Sequence, residues 1–342
     1  MRYVEISPGE TTIRDGDPPP LTPGAARVSV RACGVCGTDL HLLHGTGVGE
    51  RVTYPLRPGH EVAGIVAELA QDADAGFQVG DLVVLHPLDP CGQCSACRAD
   101  REQHCASGRV LGIDAPGGMA EELVWPASRM VAVRGIPPAE AALLPDAVAT
   151  AYHALLKAAP PPGGSLCVLG AGGVGTQVLQ LARALDPRIR LAAVVRSEAT
   201  AARIAALGVT AVAGLEQGVE QLRREMGRFD AVVDFSGAAD GPAQGLRLLG
   251  RGGRLVLGAV VDEPLAFSTP ITVVIARELV ILGAYSSTLP ELRAVARLAE
   301  SGSIDLSASV THRFSLQDAA AAFRTLEERP PGMVRVVIDI EA

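Results

Sequence analysis

Over the first 130 or so positions, apolar and polar residues alternate in short runs that Gly and Pro interrupt. "ARVSVRA" alternates with period two, and "EVAGIVAEL", "GDLVVL" and "AEELVWPA" follow it as further strand-like segments. The turn residues between them predict an irregular β domain. From "PPAEAALLPDAVATAYHALLKA" onward the period becomes helical, and "PPPGG" then breaks the pattern.

Beyond that breaker, buried-strand runs alternate with amphipathic helices. The runs are "SLCVLG", "RLAAVV", "VTAVAG", "FDAVVDF", "RLVLGAV" and "LVILGAY", with helices such as "VGTQVLQLARAL", "EATAARIAAL" and "VEQLRREM" between them. Continuous apolar strands joined by helices predict a parallel, doubly wound sheet of the Rossmann type. A closing tail, "LPELRAVARLAESG", "HRFSLQDAAAAFRTLEE" and "MVRVVIDI", exceeds what a six-stranded sheet requires and is expected to return to the first domain. The predicted boundaries are 1–148 for the β domain, 149–284 for the parallel-sheet domain and 285–342 for the return. No internal repeat is visible.

At 342 residues, two domains fit the length. Hydrophobic residues at 48% and charged residues at 20% describe a globular chain. A net charge of −8 with scattered arginines argues against a nucleic-acid surface. No apolar run approaches membrane-spanning length and no secretory leader is apparent, so the expected address is the cytoplasm.

Four of the seven cysteines fall in "CGQCSACRADREQHC": Cys91, Cys94, Cys97 and Cys105, spaced C-x2-C-x2-C-x7-C. In a reducing compartment such a cluster reads as a metal clamp before a disulfide framework. Four thiolates suit tetrahedral zinc and leave no coordination position for substrate, which makes the lobe at about 88–108 structural. Iron–sulfur ligation is the rival reading. Of the other cysteines, Cys33 and Cys167 lie in strand-like runs and are expected to be small core residues.

A second glycine-rich phrase, "VLGAGGVGTQVLQLA", places Gly170, Gly172, Gly173 and Gly175 between a strand and a helix. That context lets backbone and helix N-terminus approach a pyrophosphate. An acidic residue about 20 positions later would hold the ribose hydroxyls of NAD. Here Val195 occupies that position, followed by Arg196 and Ser197. A guanidinium there can pair with a 2′-phosphate, so NADP(H) is favoured over NAD(H); the alternative is a solvated Arg196, or one stacking on adenine, with either coenzyme bound.

Two more phrases, "GVCGTDLH" and "PGHEVAG", carry Cys36, Thr38, Asp39 and His41, and His60 and Glu61. Together with the four-Cys lobe, "LPDAVATAYHAL", "LGAGGVG" and "GMVRVV", in that order from about Arg2 to Asp339, they resemble the zinc-dependent alcohol dehydrogenases of the medium-chain dehydrogenase/reductase family. The resemblance implies a GroES-like irregular β catalytic domain followed by a Rossmann coenzyme domain, and two zinc ions per chain. It makes Cys36, His60 and Asp146 the ligands of a catalytic zinc, with Glu61 beside the metal and Asp39 orienting His60. Thr38 would take the proton of an alcohol and pass it through the coenzyme ribose to His41. Thr150 and Val174 would pack at the nicotinamide, and Arg335 would contact the pyrophosphate. The implied reaction is alcohol–carbonyl interconversion by hydride transfer. Its neighbours are NAD-linked polyol or secondary-alcohol oxidation, where Glu is usual at the Asp146 position, and C=C or C=N reduction. A non-catalytic zinc- and nucleotide-binding protein is the reading from another class. The substrate pocket is expected to include Val48, His86 and Leu88, and relatives of this kind are homodimers or homotetramers.

Overall fold

The structure is a computed structural model that describes residues 1–341 apart from 75, 262 and 268. The chain divides into two compact units, Met1–Ala149 with Ser287–Ala342, and Thr150–Ser286.

The first unit is built on a mainly antiparallel sheet. Its strands lie in the order Val310–Ser315, Arg335–Asp339, Ala25–Val35, Glu61–Leu69, Leu82–Leu85 and Met130–Ala132, with Glu122–Pro126 also paired to Ala25–Val35. Alternation along Ala25–Val35 puts Ala26, Val28 and Val30 into the core with Val62, Leu85, Leu123 and Trp125. Strand register decides which side chains meet at the sheet's end. Gly34 lies opposite Glu61, and Val35 opposite Val336. One residue further on, Cys36, His60 and Arg335 therefore emerge together at one end of three neighbouring strands. The closing tail joins this unit: Arg335–Asp339 pairs with Ala25–Val35, and Phe323 and Ile338 enter its core.

Two features depart from the sequence reading. Arg2–Ser7 and Glu10–Asp15 form an antiparallel hairpin. Its turn is Pro8-Gly9, with Gly9 in the left-handed region, and Val4 and Ile6 alternate inward. The helical run over 137–158 is broken into the helix Pro138–Ala141, a π-turn over Leu144–Val148 and the helix Ala149–Ala158. Pro145 has no N–H to continue an α ladder, and the Val148 N–H reaches back five residues to the Leu143 carbonyl at 3.0 Å. Asp146 sits in that widened turn.

The second unit is a six-stranded parallel sheet. From edge to edge run Thr210–Ala213, Arg190–Val195, Ser165–Leu169, Phe229–Asp234, Leu249–Leu257 and Val280–Gly283, with parallel pairing throughout. This is the doubly wound order, which reverses beside the first strand and leaves a crevice at the strands' carboxyl ends for a ligand. Cys167, Leu169, Val194, Phe229, Val232 and Leu255 make its core.

Candidate active site

At the end of Ala25–Val35, Cys36 caps the helix Gly37–His44. The Cys36 N–H donates to Asp39 Oδ2 at 2.9 Å, which holds the buried Asp39 carboxylate beneath the turn. The other oxygen, Asp39 Oδ1, lies 3.6 Å from His60 Nδ1, and on the far side of the ring Nε2 lies 3.6 Å from Asp146 Oδ2. Cys36 Sγ lies 3.6 Å from the same Asp146 oxygen and 3.9 Å from Thr38 Oγ1. Ligand atoms of Cys36, His60, Glu61 and Asp146 all lie within 4.8 Å of one another.

Burial and mutual charge shift the ionisation of Cys36, His60 and Glu61 in this cluster. Burial raises the Cys36 thiol, and Asp146 raises it further. Burial opposes a protonated His60, but Asp39 and Asp146 outweigh it and hold the ring well above the ordinary imidazole value. Burial lifts the Glu61 carboxyl to about 7 despite the Arg335 guanidinium. A sulfur, an imidazole nitrogen and a carboxylate oxygen crowded around one point form a donor set that suits zinc. His60 Nδ1 has no hydrogen-bond partner at these distances, and Asp39 Oδ1 is the acceptor aimed at it.

Glu61 approaches this cluster only because Gly34 has no side chain. A Cβ at Gly34 would come within 1.9 Å of Glu61 Oε2. The Glu61 carboxylate is gripped by Arg335, itself buried; burial works against the guanidinium charge, and the pairing with Glu61 outweighs it. In this structure, then, Arg335 faces Glu61. Thr38 and His41 follow on the same helix, where His41 Nδ1 lies 3.2 Å from Thr46 Oγ1.

The four-Cys lobe closes on itself. Sγ separations are 3.5 Å for Cys94–Cys97 and 4.0 Å for Cys91–Cys97, and the Cys91 N–H donates to Cys105 Sγ at 3.3 Å. A tetrahedron with Zn–S arms of about 2.3 Å has edges of about 3.8 Å, which these sulfurs match. Backbone N–H groups of Gln93 and Cys97 lower the Cys91 and Cys94 thiols, Cys91 to about 6, whereas desolvation pushes Cys97 up to about 12. All seven cysteines are free thiols.

In the second unit the glycine loop follows Ser165–Leu169 and opens the helix Gly175–Leu185. A Cβ at Gly175 would meet the Gly170 carbonyl at 2.0 Å, so the loop and helix can pack only with glycine there. A Cβ at Gly172 would meet nothing within 4 Å, leaving the open backbone cradle a pyrophosphate requires. Gly173 and Val174 complete the turn, and Thr150 is buried at the start of this unit.

Residues 22–135 match the family Alcohol dehydrogenase GroES-like domain, and residues 173–301 match Zinc-binding dehydrogenase. An NAD-dependent alcohol dehydrogenase of Saccharolobus solfataricus is 30% identical over 338 residues, 96% of each chain. The chain belongs to the zinc-dependent alcohol dehydrogenases of the medium-chain dehydrogenase/reductase family. The D-altritol 5-dehydrogenase of Agrobacterium fabrum is 30% identical over 92% of each chain. Among solved structures, a chain from Sinorhizobium meliloti 1021 with NADP bound is 28% identical, with a TM-score of 0.89 over 99% of this chain and 98% of that one.

Within this dehydrogenase, five residue placements refine the sequence reading. Arg196 is exposed just beyond Arg190–Val195. Ser197 caps the helix Glu198–Ala205, where its Oγ accepts the Thr200 N–H at 3.3 Å. His86, expected to line the substrate pocket, is fully enclosed. Its Nδ1 accepts from Arg129 Nη2 at 3.0 Å and from the Leu88 N–H at 3.3 Å, so the ring is neutral with its proton on Nε2, 3.4 Å from Ser287 Oγ. Leu88 is buried and Val48 packs against the core.

Sequence reasoning missed Arg129, Glu102 and Arg203. Arg129 donates to both oxygens of Glu102, at 2.7 and 3.2 Å, and Glu102 Oε1 also accepts the Leu289 N–H at 2.7 Å. The four-Cys lobe is thus tied to the segment where the chain re-enters its first unit. Arg203, on the helix after the second strand, donates from Nη2 to the Ala171 carbonyl inside the glycine loop at 2.7 Å. That carbonyl also accepts Thr176 Oγ1–H at 3.0 Å. A lone arginine in an amphipathic helix carries no sequence signal for such a brace.

Proposed function

We propose that this enzyme interconverts an alcohol and its aldehyde or ketone, with Cys36, His60 and Asp146 holding a catalytic zinc and Cys91, Cys94, Cys97 and Cys105 a structural one. The observation that carries the proposal is the convergence of sulfur, imidazole and carboxylate donors on one point, with Asp39 behind the imidazole. Bound there, zinc would supply Lewis-acid polarisation of a substrate oxygen, and a nicotinamide coenzyme on the glycine loop would supply the hydride acceptor or donor. Thr38, two residues past Cys36 and within 3.9 Å of its sulfur, would take the substrate hydroxyl proton, and with coenzyme bound the ribose hydroxyls would link it to His41 one turn further along the helix. Asp39 fixes the His60 ring, and Arg335 holds the Glu61 carboxylate beside the ligand cluster.

Gly170, Gly172, Gly173, Val174 and Gly175 receive the pyrophosphate, Thr150 and Val174 the nicotinamide, and Arg196 a 2′-phosphate. This gives preference to NADP(H). The second reading is an NAD-linked polyol or secondary-alcohol dehydrogenase; it is favoured by Ser197 being engaged as a helix cap and by the NAD-dependent relative. Seven free cysteines fit a reducing, cytoplasmic setting. Among the described residues no helix is long and apolar enough to cross a membrane. The edge strand Val280–Gly283 and the exposed Ile271 and Ile275 support a homo-oligomer, dimer or tetramer.

The test is paired titration of the zinc-loaded enzyme with NADPH and NADH, read by nicotinamide fluorescence. NADPH binding at least about tenfold tighter, lost on Arg196→Asp, supports the reading; equal or tighter NADH binding moves it to the NAD-linked alternative.

A further inference from the structure

Four arginines from separate segments of the second unit line one cavity of about 300 Å³: Arg223, Arg228, Arg247 and Arg277, with Leu246 and Val273. In a chain with 30 Lys and Arg against 38 Asp and Glu, this is a local reversal of charge. The only carboxylate paired with these arginines among the described residues is Glu220, 3.5 Å from Arg223 Nη1 and 3.3 Å from Arg247 Nη2. Arg228 Nη1 donates to the carbonyls of Arg247 and Leu249, both at 3.0 Å, and Arg247 Nη1 to Gln244 Oε1 at 2.9 Å. These bonds position guanidinium groups without neutralising them. Arg277 has no ion-pair partner among the described residues. The field is felt within the cluster: burial lowers the Arg228 pKa, and the charges of Arg277 and Arg223 lower it further.

The cavity is not the coenzyme site. Arg228 immediately precedes the strand Phe229–Asp234, Arg247 precedes Leu249–Leu257, and Arg277 precedes Val280–Gly283. In a parallel sheet these positions share the amino edge, whereas the glycine loop follows the carboxyl end of Ser165–Leu169.

We propose that the Arg223–Arg228–Arg247–Arg277 cavity binds a phosphate-bearing small molecule, a pyrophosphate or compact phosphate ester, independently of the coenzyme. Planar guanidinium forks match phosphate oxygens in pairs, and Leu246 and Val273 leave an apolar wall for a small organic portion.

The test is calorimetric titration of the full-length, zinc-loaded enzyme with inorganic pyrophosphate at fixed ionic strength, before and after saturation with coenzyme. The expected result is a pyrophosphate site that persists under saturating coenzyme, weakens at least about tenfold in Arg223→Ala/Arg277→Ala, and is unchanged in Arg196→Ala. Arg277→Ala alone, at a partly exposed side chain, repeats the measurement where the double variant folds poorly. Complete displacement of pyrophosphate by coenzyme would overturn the proposal, as would equal affinity in wild type and both arginine variants. So would loss of self-association without loss of pyrophosphate binding, because the cluster would then serve carboxylates of a second copy.

Discussion

Arg335 and Glu61 come from sequence positions 274 residues apart and meet as a buried ion pair, because strand register brings Val336 opposite Val35 and Glu61 opposite Gly34. Neither charge has water to fall back on: their side chains are 5% and 0% exposed. Removing one partner strands the other. Arg335→Ala should therefore destabilise the enzyme by roughly 3–5 kcal/mol, whereas Glu61→Gln in the same background should recover part of that loss. Urea unfolding of the single and double variants measures both effects; additive losses would show the two residues to be energetically independent.

The four-Cys lobe should be separable from catalysis. Cys97→Ser is expected to lower the zinc content of the purified enzyme from about two ions per chain to about one. The melting temperature should fall with it, because the metal's binding free energy is folding free energy for the lobe. Elemental analysis and a thermal melt read the two outcomes together.

His86 gives the stability a defined pH dependence. Burial, followed by the charge of Arg129, lowers its pKa from the ordinary 6.5 to about 4. The unfolded ring takes a proton near 6.5 and the folded ring refuses it until about 4, so stability is complete above 6.5 and declines as pH falls through that window. The stake is roughly 3 kcal/mol. At Glu102 burial is outweighed by Arg129, which holds the carboxyl below its usual value and shifts stability in the same direction. Melting temperatures of wild type and His86→Asn between pH 7 and 4 isolate the His86 share, which should appear as a shallower slope in the variant.

Arg203 should matter to coenzyme binding without touching the chemistry. Its bond to the Ala171 carbonyl fixes the glycine loop proposed to receive the coenzyme pyrophosphate. Arg203→Met is expected to weaken coenzyme binding about tenfold, roughly 1.4 kcal/mol, with kcat little changed. Arg203→Lys should recover part of the loss.

Much of this architecture is legible in the sequence because it depends on period and spacing. Six apolar runs separated by helices specify a parallel sheet, and C-x2-C-x2-C-x7-C marks four cysteines whose sulfurs gather into one cluster. The family match supports the fold class read from these patterns. What stays hidden depends on the third dimension. No local signal marks Arg129 as the link between His86 and Glu102, or Arg203 as a brace for a loop 32 residues earlier. The π-turn at Asp146 is masked by helical periodicity that Pro145 interrupts, and the enclosure of His86 by Arg129, Leu88 and Ser287 is a matter of packing. The N-terminal hairpin is different, since Pro8-Gly9 is a turn signal that periodicity alone passes over.

Whether the Cys36–His60–Asp146 cluster carries metal-dependent alcohol oxidation is tested most directly by following nicotinamide reduction with a panel of primary, secondary and polyhydric alcohols. The enzymes compared are zinc-loaded wild type, Asp146→Ala and Asp146→Cys. We expect turnover in wild type, a loss of at least about a thousandfold in Asp146→Ala together with one zinc, and partial recovery in Asp146→Cys, which restores a ligand suited to the metal. Undiminished turnover in Asp146→Ala would contradict the assignment of this cluster as the catalytic metal site.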